Sequence, residues 1–158
     1  MSELTHIDKQ GKANMVDVTE KHVTKRTATA RCIIHLPGIV LQQLTDGDIQ
    51  TKKGAVFQTA IIAGIMAAKK TGELIPLCHP LCLENCKIDI NINEQHELVI
   101  DCTTMITAKT GIEMEALVGV SIAALTIYDM CKALSHDIVI KETRLIEKTG
   151  GSNDFRKD

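Results

Sequence analysis

The sequence predicts an α+β fold, a ferredoxin-like split βαβ with a mostly antiparallel sheet and its helices on one face. Three observations carry that prediction. Lys87–Asn93 (KIDININ) alternates Ile88, Ile90 and Ile92 with Asp89, Asn91 and Asn93, the period of a half-buried strand. Glu97–Thr107 repeats a strand pattern after a short polar loop at Glu94–His96, so the two form a hairpin. A helical stretch and a further strand flank this hairpin on either side. The order is therefore strand, helices, strand, strand, helix, strand.

Each element has a local reason. Thr24–Leu36 is rich in threonine and β-branched residues and reads as a strand. Pro37 opens a short helix running to about Leu44, with proline at the favoured first position. The TDGD run that follows is a turn. Ala55–Lys70 has a broad apolar face and closes on Lys69-Lys70, which suits a helix C-terminus. Leu74–Leu81 (LIPLCHPL) carries Pro76 and Pro80, which remove two amide donors and push Ile75 and His79 toward extended geometry. It reads as a stiff, extended connector. Glu113–Leu134 is a long helix, apolar nearly all round and therefore buried. Asp137–Glu147 is the last strand. The chain reads as one domain over residues 1–158, with 1–14 and 149–158 expected to be flexible.

Composition narrows the function classes. Hydrophobic residues make up 44% of the 158, enough for a core, yet there is no tryptophan, one tyrosine and two phenylalanines. The core must be aliphatic, and a base-stacking single-strand binder is disfavoured. A net charge of −2 argues against duplex nucleic acid as partner. Residues 1–14 contain no apolar leader, and Ala116–Tyr128, the longest uncharged apolar run, falls short of the roughly 18 residues of a membrane helix. The expectation is a cytoplasmic protein, bound to no membrane, with six reduced cysteines.

Four groups of residues could carry chemistry. Cys78, His79, Cys82 and Cys86 lie close together, but without the paired spacing of a zinc knuckle. Cys82 and Cys86 read better as small buried hydrophobes. His79, held between prolines, is either a packed core residue or a positioned reactive group. Thr110-Gly111 makes a tight turn before Glu113 and Glu115, whose carboxylates suit the amino and ring N–H groups of a base, or simply a helix start. Asp129 and Lys132 share a helix face. On so apolar a helix the pair is expected to be buried, at a cost in desolvation and with a lowered lysine pKa, which function explains better than stability; the alternative is a solvated pair near the helix end. The cations Lys21, Lys25, Arg26, Lys52, Lys53, Lys69, Lys109 and Lys148 are dispersed and would suit a polyphosphate only if folding or assembly gathers them.

Five stretches then combine: MVDV from Met15, AGIMAAK from Ala63, LIPLCHPL from Leu74, KTGIEMEAL from Lys109 and ALTIYDMCKA from Ala124. Together, over essentially the whole chain, they resemble the cyclic pyranopterin monophosphate synthases of molybdenum cofactor biosynthesis. The resemblance implies a lyase that converts (8S)-3′,8-cyclo-7,8-dihydroguanosine 5′-triphosphate to cyclic pyranopterin monophosphate and releases pyrophosphate. It implies a ferredoxin-like fold, a homohexamer built as a trimer of dimers, and sites at subunit interfaces. It implies no redox cofactor and no bound metal, and leaves open whether magnesium accompanies the triphosphate.

Carried over by motif, Leu77, Cys78 and His79 stand against the substrate, as do Glu113, Met114 and Glu115. Asp129 is then the general acid/base, Lys132 its essential neighbour, and His79 a third proton-transfer group. Arg26, Lys53 and Lys148 hold the triphosphate. One departure stands out. The family tail runs GGKSGDF, whereas Gly150–Phe155 reads GGSNDF, lacking the lysine and one residue. If that lysine touches phosphate, its loss weakens binding or shifts the duty to Lys148.

Overall fold

The computed structural model describes residues 6–8 and 10–157. In chain order the elements are β1 (Thr24–His35), α1 (Gly38–Leu41), β2 (Leu44–Thr45), β3 (Asp48–Thr51), β4 (Gly54–Ala55), α2 (Val56–Ala68), α3 (Thr71–Leu74), β5 (Asn85–Ile92), β6 (Leu98–Ala108), α4 (Glu113–Cys131), β7 (Val139–Thr149) and β8 (Phe155–Arg156). The main sheet has the order β5-β6-β1-β7-β8, and every pairing in it is antiparallel. A second small sheet joins β2, β3 and β4. The fold class is α+β, as the sequence predicts.

Alternation decides what each strand buries. In β1, Ala28, Ala30, Cys32 and Ile34 are buried beneath the helices, and in β6 Leu98, Ile100, Cys102, Thr104 and Ile106 are. The opposite face is largely polar and half-exposed. There Arg31 forms a bidentate pair with Asp101, both bonds at 2.8 Å, and the hydroxyls of Thr29 and Thr103 meet at 2.9 Å. Ile33, Val99 and Met105 share that face and are half-buried.

The helices can lie close because glycine meets glycine where α2 crosses α4. A methyl on Gly64 would stand 2.7 Å from the Gly119 carbonyl oxygen, and one on Gly119 would stand 2.7 Å from Cys102 Sγ. Helix α4 is long and apolar enough to cross a bilayer, but it packs on β1, β6 and α2, with Ala116, Val120, Ala123, Ala124 and Ile127 fully buried.

Several local expectations change. The first helix ends at Leu41 rather than about Leu44. The TDGD turn is the tip of a hairpin: Asp46 (φ 51°) and Gly47 (φ 81°) form a two-residue loop whose positive φ values match the twist of flanking strands. Asp48, just beyond, folds back to receive the amides of Phe57 (2.7 Å) and Gln58 (3.2 Å), and so caps α2, whose own first residues offer no side-chain cap.

The LIPLCHPL connector is only partly extended. Pro76 sits second in a turn closed by the Cys78 amide on the Ile75 carbonyl (3.1 Å), the position its fixed φ favours. Cys82 is exposed and Cys86 half-buried, so the expectation of two buried thiols fails for Cys82; Cys86 lies 3.7 Å from Cys102, sulfur to sulfur, on the core side of the sheet.

Both ends carry local turns and short pairings among the described residues. Of residues 1–14, positions 1–5 and 9 lie outside the described residues; the others turn through Asp8 and Gly11 and close on an Ile7–Ala13 bridge. The tail turns at Gly150 (φ 80°) and returns as β8 along β7. A Cβ at Gly150 would collide with the Lys25 carbonyl oxygen, so both conformation and space require glycine there.

Candidate active site

The residues singled out in the sequence gather at two places. The first is a cavity of about 380 Å³ walled by Leu77, Cys78 and His79 of the connector, Thr110 and Gly111, the first turn of α4 (Glu113, Met114, Glu115), Lys148 of β7, and His6, Val16, Val18 and Lys21 from the N-terminal segment. A smaller cavity of about 180 Å³ adjoins it, sharing Lys21, Gly111, Glu113 and Lys148 and adding Arg26, Gly151, Ser152 and Asn153. The first volume is within the range of small-molecule sites.

Position follows from chain geometry. His79 is brought in by the proline turn, and the backbone of His79-Pro80 runs so close to Gly72 that a methyl there would stand 3.0 Å from Pro80 Cα. The His79 Nε2 lies 2.8 Å from the Val16 carbonyl oxygen. A carbonyl only accepts, so Nε2 carries the proton, and the neutral ring keeps its lone pair on Nδ1. Glu113 and Glu115 occupy the first turn of α4, where carboxylates face unpaired amides.

The electrostatics divide the cavity into two ends. Glu115 is 3% exposed, and burial pushes its carboxyl up to about 6, with the nearby Glu113 charge adding to the effect. Burial likewise raises the Cys78 thiol, with Glu115 contributing. Glu113 pairs with Lys148 at 2.9 Å. At the other end, Arg26 donates from Nε and Nη2 to the carbonyls of Ala108 and Lys109, both at 3.1 Å. It has no carboxylate partner among the described residues, and its Nη1 faces Gly151. Gly151, Ser152 and Asn153 line the wall beside Arg26, and none of them brings a cation.

The second place is the C-terminal end of α4. Asp129 receives Lys132 Nζ at 2.7 Å and Lys53 Nζ at 3.3 Å, and all three line a separate cavity of about 590 Å³ with Gln43, Gln50 and Thr51. The pair is not buried: the Asp129 and Lys132 side chains are 53% and 48% exposed. They lie in the last turn, on the face opposite Ile127, Met130 and Cys131. The expected lowering of the lysine pKa is reversed. The hydrogen bond from Lys132 and then that from Lys53 hold the Asp129 carboxyl below its usual range, while Asp129 raises Lys132. Burial therefore gives no argument that this pair is catalytic.

Glu113 and Asp129 are sixteen residues apart on one helix, about 24 Å at 1.5 Å per residue. Arg26, Leu77, Cys78, His79, Glu113, Met114, Glu115 and Lys148 converge; Lys53, Asp129 and Lys132 do not join them within this chain. Val16 and Val18 also line the site, and the MVDV stretch that contains them is the signal for them; Lys21 stands in the sequence only as one of the dispersed cations. Among the described residues, no three histidine, cysteine or acidic side chains gather as a metal would require, and Cys78, His79, Cys82 and Cys86 do not converge.

Comparison with known proteins then decides the family. The model described as MoaC family matches residues 15–151, which hold all but His6, Ser152 and Asn153 of the residues named in the two clusters. The chain belongs to the MoaC family. It is 50% identical over 152 residues to a protein of Xanthomonas campestris pv. campestris named cyclic pyranopterin monophosphate synthase, covering 96% of this chain and 92% of that one. It is 53% identical to a molybdenum cofactor biosynthesis bifunctional protein of Synechocystis sp., covering 95% of this chain but 44% of that protein. To molybdenum cofactor biosynthesis protein 1 of Dictyostelium discoideum it is 50% identical, covering 96% of this chain and 27% of the other. The MoaC-like unit thus stands both nearly alone and as one part of longer proteins.

Proposed function

We propose that this chain is a lyase of molybdenum cofactor biosynthesis that converts (8S)-3′,8-cyclo-7,8-dihydroguanosine 5′-triphosphate to cyclic pyranopterin monophosphate and pyrophosphate. Membership of the MoaC family and the names of its half-identical relatives support this. The observation that carries it in the geometry is the two-ended cavity: an Arg26 guanidinium with no carboxylate partner among the described residues beside one mouth, and Glu115 with His79 at the other. A purine-derived triphosphate has this polarity, with anionic phosphates at one end and ring N–H and amino donors at the other.

On this reading Arg26, Lys148 and Lys21 hold phosphate, and a bound triphosphate competes with Glu113 for Lys148. Glu113 and Glu115 receive the donors of the base-derived ring, with Leu77, Cys78 and Met114 as its apolar walls. The ring remodelling needs protons moved, and His79 Nδ1 and the Asp129–Lys132 pair are the groups for it. Closing the cyclic phosphate joins a ribose-derived oxygen to the α-phosphorus as pyrophosphate leaves. Positioning and cationic stabilisation dominate that step. The reaction needs no redox cofactor.

A single substrate cannot span about 24 Å, so Lys53, Asp129 and Lys132 act on the substrate held by a neighbouring copy. This supports a homo-oligomer, and the family resemblance supports a hexamer of three dimers. The order β5-β6-β1-β7, with α2 and α4 each carrying the chain past one intervening strand, supports the ferredoxin-like split βαβ. The protein is cytoplasmic on this reading and binds neither membrane nor nucleic acid.

Incubating the purified protein with the cyclic dihydroguanosine triphosphate tests the activity. Stoichiometric pyrophosphate release is expected. Binding without release would make it a nucleotide-binding module instead.

A further inference from the structure

The N-terminal segment 15–21 forms one wall of the larger cavity through Val16, Val18 and Lys21, yet it belongs to no helix or strand. Among the described residues, two hydrogen bonds tie it to the rest of the molecule. One is His79 Nε2–H to the Val16 carbonyl at 2.8 Å. The other is Lys109 Nζ to the Thr19 carbonyl at 2.7 Å. Between these anchors the segment is internally braced: Asp17 Oδ1 accepts the Thr19 amide at 2.8 Å and its hydroxyl at 2.6 Å. Those two bonds, with the Lys109 charge adding, keep the Asp17 carboxyl below its usual range. Lys109 itself lines neither cavity. Its own carbonyl receives Arg26 Nη2, so one residue touches the supports of both ends of the site.

We propose that Lys109 is a positioning residue: by holding the Thr19 carbonyl it fixes strap 15–21 over the cavity, and through Val16 it fixes the tautomer and ring plane of His79. The physical logic is a two-point tether. An irregular segment held at both ends samples few conformations; released at one end, it pivots about the other. The freed His79–Val16 bond then forms and breaks with the motion of the strap. The ring loses the acceptor that kept its proton on Nε2.

The kinetic half of this inference rests on the lyase reading; the structural half does not. Lys109→Met keeps the aliphatic stem and removes the donor, and Lys109→Arg restores a donor of similar reach. In the substrate-free full chain, Lys109→Met is expected to speed amide exchange of residues 15–21 about tenfold and to reduce the Nε2–H tautomer of His79 seen by nitrogen NMR. Lys109→Arg should recover most of both. With the triphosphate, Lys109→Met is expected to lower kcat/KM about tenfold, through both the loosened cavity wall and the mispositioned His79, and Lys109→Arg to recover most of it. Wild-type exchange and tautomer in Lys109→Met would overturn the proposal. A raised KM with an undisturbed strap would overturn it too, making Lys109 a direct phosphate contact. Should the wild type release no pyrophosphate, the lyase reading fails, and the exchange and tautomer measurements still decide the role of Lys109.

Discussion

Glu115 concentrates the electrostatic stress of the site. Its carboxyl is raised from 4.5 to about 6 by burial, so the folded state binds this proton more tightly than the unfolded chain does. The stability contributed by the protonated form is complete below pH 4.5 and is lost as pH rises through about 6. That loss is about 2 kcal/mol. Glu115→Gln should abolish it: chemical denaturation at pH 3.5 and pH 7.5 should give the variant a flatter profile than wild type by that amount. His79→Ala should leave the fold intact, since the ring has one hydrogen bond, and should remove most pyrophosphate release. An unfolded variant would return His79 to a merely packed role.

At the residue scale the sequence was most informative where chemistry is unusual. His79 between prolines and the Glu113–Glu115 pair were legible, and they do face one cavity. Burial of the Asp129–Lys132 pair is the expectation that fails: an apolar helix is not covered along its whole length, and the end of α4 runs past the core. Lys109 is silent in one dimension, because its bond to the Thr19 carbonyl spans 90 residues.

At the scale of elements, strands and long helices were read to within a few residues, because alternation and apolar coverage are local signals. The small sheet β2-β3-β4 was not, since strands of two to four residues carry no period. Its consequence is the cap that Asp48 gives to α2. Asp48→Ala strips two first-turn amides of their acceptor and should cost about 1–3 kcal/mol in a denaturant titration. The α2–α4 crossing makes a second prediction. Gly119→Ala forces a methyl to 2.7 Å from Cys102 Sγ and should cost about 1–3 kcal/mol. Cys102→Ala should be milder alone and should relieve much of the Gly119→Ala cost in the double variant, a coupling read by a double-mutant cycle.

At the scale of the whole molecule, the two clusters at opposite ends of α4 set the central claim. One carries Arg26, His79, Glu113, Glu115 and Lys148; the other carries Lys53, Asp129 and Lys132. About 24 Å of helix separates them, and a lyase using both must borrow one from a neighbour. The most direct test mixes two inactive variants, His79→Ala and Lys132→Ala, by unfolding and refolding them together, and measures pyrophosphate release from the cyclic dihydroguanosine triphosphate. Each variant alone should be inactive yet assembled. The mixture should regain a substantial fraction of wild-type turnover, because an interface between unlike copies contains one intact His79 and one intact Lys132. A mixture as inactive as its parents, with mixed oligomers demonstrably formed, would contradict a site shared between copies.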